Sequence, residues 1–245
     1  MSDAKKLTIC HLFPDLLDLY GDKGNILSFV KRLEWRGINS ELIEVKRDDK
    51  ISLADADIVL LGGGSDREQK AVCEYLCAVK TDFWSYVDDG GVLLAVCGGY
   101  PMLGSYLNIA GEKVGGLGIV DMYTEQNKNR VIGNVVLESD FANGKNTVVG
   151  FENHGTKTYI KKCQPFGKVI NGFGNNGEDE TEGIVYKNVL GTYLHGPLLP
   201  KNPHITDELI KRALIRKYGQ AELEPLYDTL EDEAHSYAVN RFSKK

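Results

Sequence analysis

The chain has 245 residues, 42% of them hydrophobic and 26% charged, and a formal net charge of −6. That length supports one large α/β domain with at most a small appendage, and an acidic balance without a basic stripe argues against a nucleic-acid partner. No apolar run approaches the ~18 residues of a membrane span, and the first residues lead into a strand-like segment instead of a signal peptide.

Residues 7–13 read as a first strand, rich in apolar and β-branched side chains. A polar, glycine-containing loop over 14–25 follows and carries Asp22. Apolar residues at 26, 27, 29, 30 and 33 predict a helix over 26–36, stopped by Gly37. Residues 42–45 and 58–61 read as further strands; the second runs into Gly62-Gly63-Gly64-Ser65 and then a helix over 66–79, with another helix over 83–87. Residues 92–96 form a continuous apolar run, the mark of a parallel strand buried on both faces. This alternation predicts an α/β fold with a doubly wound, mainly parallel sheet covered by helices on both faces. After Gly111 the pattern changes to strands at 115–123, 130–138, 147–151, 168–171 and 183–193 with few helices between them, an antiparallel extension, and 171–182 reads as an exposed glycine- and acid-rich loop. Thr206-Asp207-Glu208 signals a helix start, with Leu209, Ile210, Ala213 and Leu214 on one face, and a polar helix over 227–242 ends the chain. Residues 1–205 are thus expected to form one domain and 206–245 a C-terminal helical extension packed on it.

Cys97 is the most informative residue. It ends the apolar run at 92–96 and is followed at once by Gly98-Gly99-Tyr100. Glycines after a buried strand permit a tight elbow into a helix, and a helix N-terminus is expected to lower the thiol pKa and expose the sulfur. His195 follows another strand and is the expected general base. His154, in Phe151-Glu152-Asn153-His154-Gly155, competes with it but follows a strand outside the parallel sheet. Ligands gather at the carboxyl ends of parallel strands, so Cys97, the glycines at 62–64 and His195 are expected to converge there. The N–H groups of Gly98 and Gly63 are the expected oxyanion donors. Of the other cysteines, 73 and 77 lie four apart on a helix, which suits packing better than a metal site. An odd count of five without paired spacing fits a reducing cytoplasm.

The ordered set of Gly-Gly-Gly at 62–64, Val-Cys-Gly-Gly-Tyr at 96–100, Gly-Phe-Glu-Asn-His-Gly at 150–155 and Gly-Thr-Tyr-Leu-His-Gly-Pro at 191–197 resembles class I glutamine amidotransferase domains of the cobyric-acid-synthase-like branch. With residues 62–69, Tyr123-Thr124-Glu125, Asn129-Arg130 and 194–202 added, it is similar to glutaminase subunits of ligases that amidate the peptidoglycan precursor lipid II. The resemblance implies that Cys97 attacks the side-chain amide of L-glutamine, with His195 as base and Gly63 and Gly98 as oxyanion donors. It implies that Arg130 holds the glutamine α-carboxylate and that Asn153 and Gly155 line the same site. It further implies a heterodimer with a MurT-like Mur ligase subunit, which would bind ATP, magnesium and lipid II, leaving this chain without a cofactor or metal and in the cytoplasm. Many class I amidotransferases carry His-x-Glu; here the residues are His195-Gly196-Pro197, so a third catalytic group must come from elsewhere, and Asp22 is the candidate. The alternatives are a glutaminase for another amidation of the cobyric-acid type, another cysteine hydrolase on a similar fold, or a non-catalytic platform.

Overall fold

The computed structural model describes residues 5–18, 22–144 and 146–243. The expectations for residues 1–4 and for the part of the first loop at 19–21 lie outside the described residues. The chain begins with β1 (Lys6–Leu12), α1 (Lys23–Glu34), β2 (Asn39–Val45), β3 (Ile58–Leu61), α2 (Asp66–Ala78), α3 (Lys80–Asp88) and β4 (Val92–Val96). Two short 3₁₀ turns, Cys97–Gly99 and Pro101–Leu103, lead to β5 (Tyr106–Ile109), β6 (Glu112–Gly115), β7 (Met122–Glu138), β8 (Thr147–Ile160), β9 (Gly167–Asn171) and β10 (Thr181–Glu182). The chain closes with β11 (Ile184–Tyr186), β12 (Val189–Thr192), α4 (Leu198–Lys201), α5 (Pro203–Tyr218) and α6 (Thr229–Phe242).

The central sheet has the order β11-β12-β4-β3-β1-β2. Every neighbouring pair from β12 to β2 is parallel, and β11 joins the edge antiparallel. Its two middle strands, β3 and β4, are apolar throughout because both faces are covered. On β4, Val92, Leu94 and Val96 pack with Phe29 and Leu33 of α1 and with Leu209 and Leu214 of α5. Leu93 and Ala95, pointing the other way, pack with Val72 and Leu76 of α2 and Phe83 of α3. The fold is therefore α/β with helices on both faces of a mainly parallel sheet. A second, largely antiparallel sheet runs β10-β9-β7-β5-β6, with β8 on β7. Long pairing of β7 with β8, from Met122↔Ile160 to Glu138↔Thr147, makes an arm broken by a register shift between Gln126 and Val131.

Several local expectations are corrected. Of the strand expected at 115–123, residues 116–121 are a loop between β6 and β7: the N–H groups of Gly116, Leu117, Gly118 and Ile119 bond to carbonyls of Ser105, Met102, Gly104 and Leu103 instead of to a ladder. The strand expected to end at 151 continues to Ile160, so His154 lies inside β8. The strand expected over 183–193 is a hairpin, turned at Lys187 with φ 52°. The segment 171–182 is not simply exposed: Asn175 and Asn176 are buried, and Asn175 accepts from the Tyr100 hydroxyl at 2.9 Å and donates to the Gly183 carbonyl at 3.2 Å. Polar composition marks a loop, but a buried loop is permitted when its own amides satisfy the backbone. α5 starts at Pro203, earlier than Thr206, because a proline suits the first helical turn. Among the described residues, no helix is long and apolar enough to cross a membrane.

Candidate active site

Register places the chemistry. Thr192 of β12 pairs with Val96 of β4, and Ala95 of β4 pairs with Leu61 of β3. Cys97 is the residue after β4, His195 lies three residues beyond Thr192, and Gly63 lies two beyond Leu61. The three leave the carboxyl edge of adjacent parallel strands together. Cys97 has φ 53°, a left-handed conformation rare for a residue with a Cβ. It is a sharp elbow, held because its neighbours leave no alternative. A Cβ at Gly63 would sit 2.9 Å from the Cys97 Cβ and 3.2 Å from its sulfur, and one at Gly99 would sit 2.5 Å from the Leu61 carbonyl. Only glycine permits these approaches.

The thiol is buried, and burial pushes it up to about 12; the charge of Asp22 pushes the same way, while the Gly98 N–H and Arg130 pull it down. This reverses the expectation of a lowered thiol pKa. The residues after Cys97 form only a three-residue 3₁₀ turn, too short for the dipole of a full helix, and desolvation of the thiolate wins. His195 is held by its backbone: its N–H donates to the Phe151 carbonyl at 3.0 Å, and its carbonyl accepts from the Phe151 N–H at 3.3 Å. Burial, then Lys201, His154 and Arg130, lower its pKa to about 4. At neutral pH the pair is therefore a neutral thiol and a neutral imidazole.

A cavity of about 640 Å³ opens beside this edge, and its wall includes Cys97, Gly98, Arg130, Asn153, His154 and Gly155. Gly63, Asp22 and His195 are not on that wall. Arg130 lies where the β7–β8 register shifts, and such an irregularity re-aims a side chain. Its Nε donates to the Asn153 side-chain oxygen at 2.5 Å and one Nη to the Asn153 carbonyl at 3.2 Å. His154 is clamped differently. Its ring stacks on Tyr193 at 3.8 Å and 4°, its Nδ1 lies 2.9 Å from the Thr156 carbonyl, and its Nε2 lies 3.6 Å from the Glu152 carboxylate. Glu152 is buried and accepts the N–H groups of Phe173 and Gly174 at 2.7 and 3.0 Å.

Asp22 is wholly buried beneath the glycine turn. Its Oδ2 accepts the Gly63 N–H at 2.8 Å, so the amide expected to face an oxyanion is engaged here by a carboxyl group. Sequence reasoning missed Gln69, which packs against Gly98 and donates to the Gly64 carbonyl at 2.7 Å. It sits on α2 because Ser65 and Glu68 form a capping box that fixes the start of that helix. Ser-x-x-Glu directly after the glycines is a signal that could have found this positioning. Tyr193 was also missed as a wall residue; nothing in its local sequence distinguishes it from core.

Residues 8–203 match the CobB/CobQ-like glutamine amidotransferase domain. The chain is 43% identical over 241 residues to the lipid II isoglutaminyl synthase (glutamine-hydrolyzing) subunit GatD of Staphylococcus aureus (strain N315), covering 98% of each chain. It is 39% identical to the subunit of the same name from Streptococcus pneumoniae (strain ATCC BAA-255 / R6), covering 92% of this chain and 87% of that one. A cobyric acid synthase of Clostridium botulinum (strain Kyoto / Type A2) is 28% identical over 70% of this chain, which corresponds to 37% of that longer protein. Among solved structures, a glutamine amidotransferase superposes with a TM-score of 0.57 at 16% identity, covering 83% of this chain and 98% of that one. At that identity the superposition speaks for the fold alone.

Proposed function

Because the chain belongs to the CobB/CobQ-like glutamine amidotransferase family, we propose that it is the glutamine-hydrolysing subunit of a ligase that amidates lipid II, passing ammonia to a Mur-ligase-like, MurT-type partner. Near-full-length similarity to two subunits bearing the lipid II isoglutaminyl synthase name supports this reading. The observation that carries the chemistry is the strained elbow of Cys97 beside the strand end that delivers His195.

On this reading glutamine occupies the cavity with its α-carboxylate on the Arg130 guanidinium, a planar donor suited to a carboxylate. Asn153 orients that guanidinium and, with Gly155, completes the wall. As the amide carbonyl reaches Cys97, His195 takes the thiol proton, and a C–S bond forms to the carbonyl carbon. A neutral imidazole and a neutral thiol are the right starting forms for this transfer, because no thiolate has to persist at a buried position. The oxyanion draws on the Gly98 N–H and on the glycine turn. Collapse breaks the C–N bond, and His195 returns the proton to the leaving nitrogen, releasing ammonia. Water then adds to the γ-glutamyl thioester as His195 takes its proton; the C–S bond breaks, the departing sulfur takes that proton from His195, and glutamate is released with the thiol regenerated.

The partner supplies ATP, magnesium and the lipid II site, activating the α-carboxylate of the stem-peptide D-glutamate so that ammonia yields D-isoglutamine. The test is to purify Cys97→Ala, show by circular dichroism that it is folded, and measure glutamate release. A mixture with the Mur-ligase-like subunit is then assayed for ATP-dependent amidation of lipid II with glutamine as nitrogen donor. Glutamate release should vanish, and amidation should persist only when ammonium replaces glutamine. Glutamine-dependent amidation that proceeds without this chain overturns the assignment.

A further inference from the structure

We propose that Asp22 is a positioning residue for glutamine hydrolysis that acts on the Gly63 backbone and on the charge of Cys97, not on the imidazole of His195. Its carboxyl group holds the Gly63 N–H in a resting arrangement, and the oxyanion is stabilised only when that carboxyl loses its charge or releases the amide. The inference rests on the reading of Cys97 as the nucleophile.

Asp22 occupies the N-cap position of α1, where an aspartate ordinarily accepts an N–H from its own helix. Here it makes no such bond. The side chain turns away from its helix to meet Gly63, with Oδ2 accepting the amide at 2.8 Å. The residue is 0% exposed, and its other oxygen, Oδ1, is buried without a hydrogen-bond partner among the described residues. Among the described residues neither oxygen bonds to an imidazole, as a triad acid must. A buried carboxyl oxygen with no donor is costly as an anion and reasonable as the protonated oxygen of a neutral acid.

The group is mechanically coupled to the thiol. A Cβ on Gly62 would fall 2.6 Å from the Asp22 Oδ2, and one on Gly63 would fall 2.9 Å from the Cys97 Cβ. Asp22, the glycine turn and Cys97 therefore form one contiguous chain of contacts. It is also electrically coupled, because the charge of Asp22 opposes ionisation of Cys97. An anionic Asp22 would oppose a developing oxyanion at the same place. Burial raises the carboxyl to about 7, Asp18 on the same loop adds to the rise, and the Gly63 N–H opposes it. The other groups bearing on this edge are Arg130 from β7, acting on Cys97, and Glu68 of α2, whose Oε2 approaches Gly64.

Asp22→Asn keeps the size of the side chain and an acceptor for Gly63 while removing the charge. The full-length variant and the unmodified chain are alkylated with iodoacetamide at a fixed pH of ~8.5, and modification of the Cys97 peptide is followed by mass spectrometry, which separates it from exposed Cys77. The expected result is Cys97 alkylation about tenfold faster in Asp22→Asn, the rise in thiolate fraction that follows from losing one nearby like charge. Glutamine kcat/KM should fall far less than the ~10⁴-fold lost when a triad aspartate becomes asparagine. An unchanged alkylation rate overturns the proposal whatever the activity does, and so does a loss of ~10⁴-fold. If Asp22→Asn fails to fold, the unmodified chain decides. Its Gly63 amide resonance should titrate with a midpoint near 7, and a Gly63 amide that does not move between pH ~5 and ~9 overturns the proposal. Retained hydrolysis by Cys97→Ala would instead defeat the underlying reading, leaving the Gly63 titration intact.

Discussion

The two walls of the site are built by opposite strategies. The nucleophile side grows from β3, β4 and β12, strands whose side chains are all buried, and it ends in a strained cysteine that a rigid core can hold. The opposite wall comes from the β7–β8 arm, where Arg130 is exposed and Ile132 is 61% exposed. Reacting atoms need geometry fixed to a fraction of an ångström, which a close-packed interior supplies. A substrate must enter and leave, so its charged anchor sits on an open strand pair whose irregularity aims it inward. The difference teaches that burial, which costs the thiol its charge, is what holds the elbow in a conformation that would otherwise relax.

The sharpest way to break this comparison is on the buried side. His195→Ala should lower kcat by ~10²-fold or more, since general acid–base transfer contributes at least that, with little change in KM. His154→Ala serves as the control, and a larger loss there would move the base from the strand end of the core to the arm. On the open side, Arg130→Ala should act mainly through substrate capture. Losing a charge-assisted contact of ~1.5–3 kcal/mol corresponds to very roughly a 10- to 100-fold fall in kcat/KM. Unchanged kinetics with glutamine would leave the arm without a role in binding.

A third test concerns stability. Burial raises Glu182 from 4.5 to about 8, against hydrogen bonds from Tyr193 and Thr192 that lower it. An acid with a raised folded pKa keeps its proton in the fold after the unfolded chain has lost it, so its contribution is full below 4.5 and is lost as pH rises through about 8. His195, lowered from 6.5 to about 4, acts with the opposite sign between those values, so the measurement belongs above pH ~7. Tm should decline from pH ~7 to ~8.5, and Glu182→Gln, which retains an acceptor for Tyr193 and Thr192, should flatten that decline. An unaltered slope would assign the pH dependence to other groups. The smallest effect is expected at the edge of the site: Ser65→Ala removes the α2 cap and should cost about 1 kcal/mol in a denaturant titration.

How much of this was legible in the chain depends on the physical reach of each signal. The apolar run 92–96, the glycines at 62–64 and 98–99, and the histidine after a strand are local patterns with local causes, and they pointed to the α/β fold and to where its strands end. Loops and long hairpins were less readable. The buried Asn175 and the extended β8 depend on partners distant in the chain, namely Tyr100 and β7. The electrostatics were the least readable, since a glycine-flanked cysteine suggests a helix dipole, whereas the folded site supplies a short turn and a buried thiol.

By itself, then, the sequence determined that a cysteine and a histidine leave neighbouring parallel strands, because side-chain pattern and turn chemistry act over a few residues. Only the tertiary structure decided the protonation of that pair, the engagement of the Gly63 amide by Asp22, and the inward aim of Arg130. Each of these depends on burial, register and contacts between segments that lie far apart in the chain.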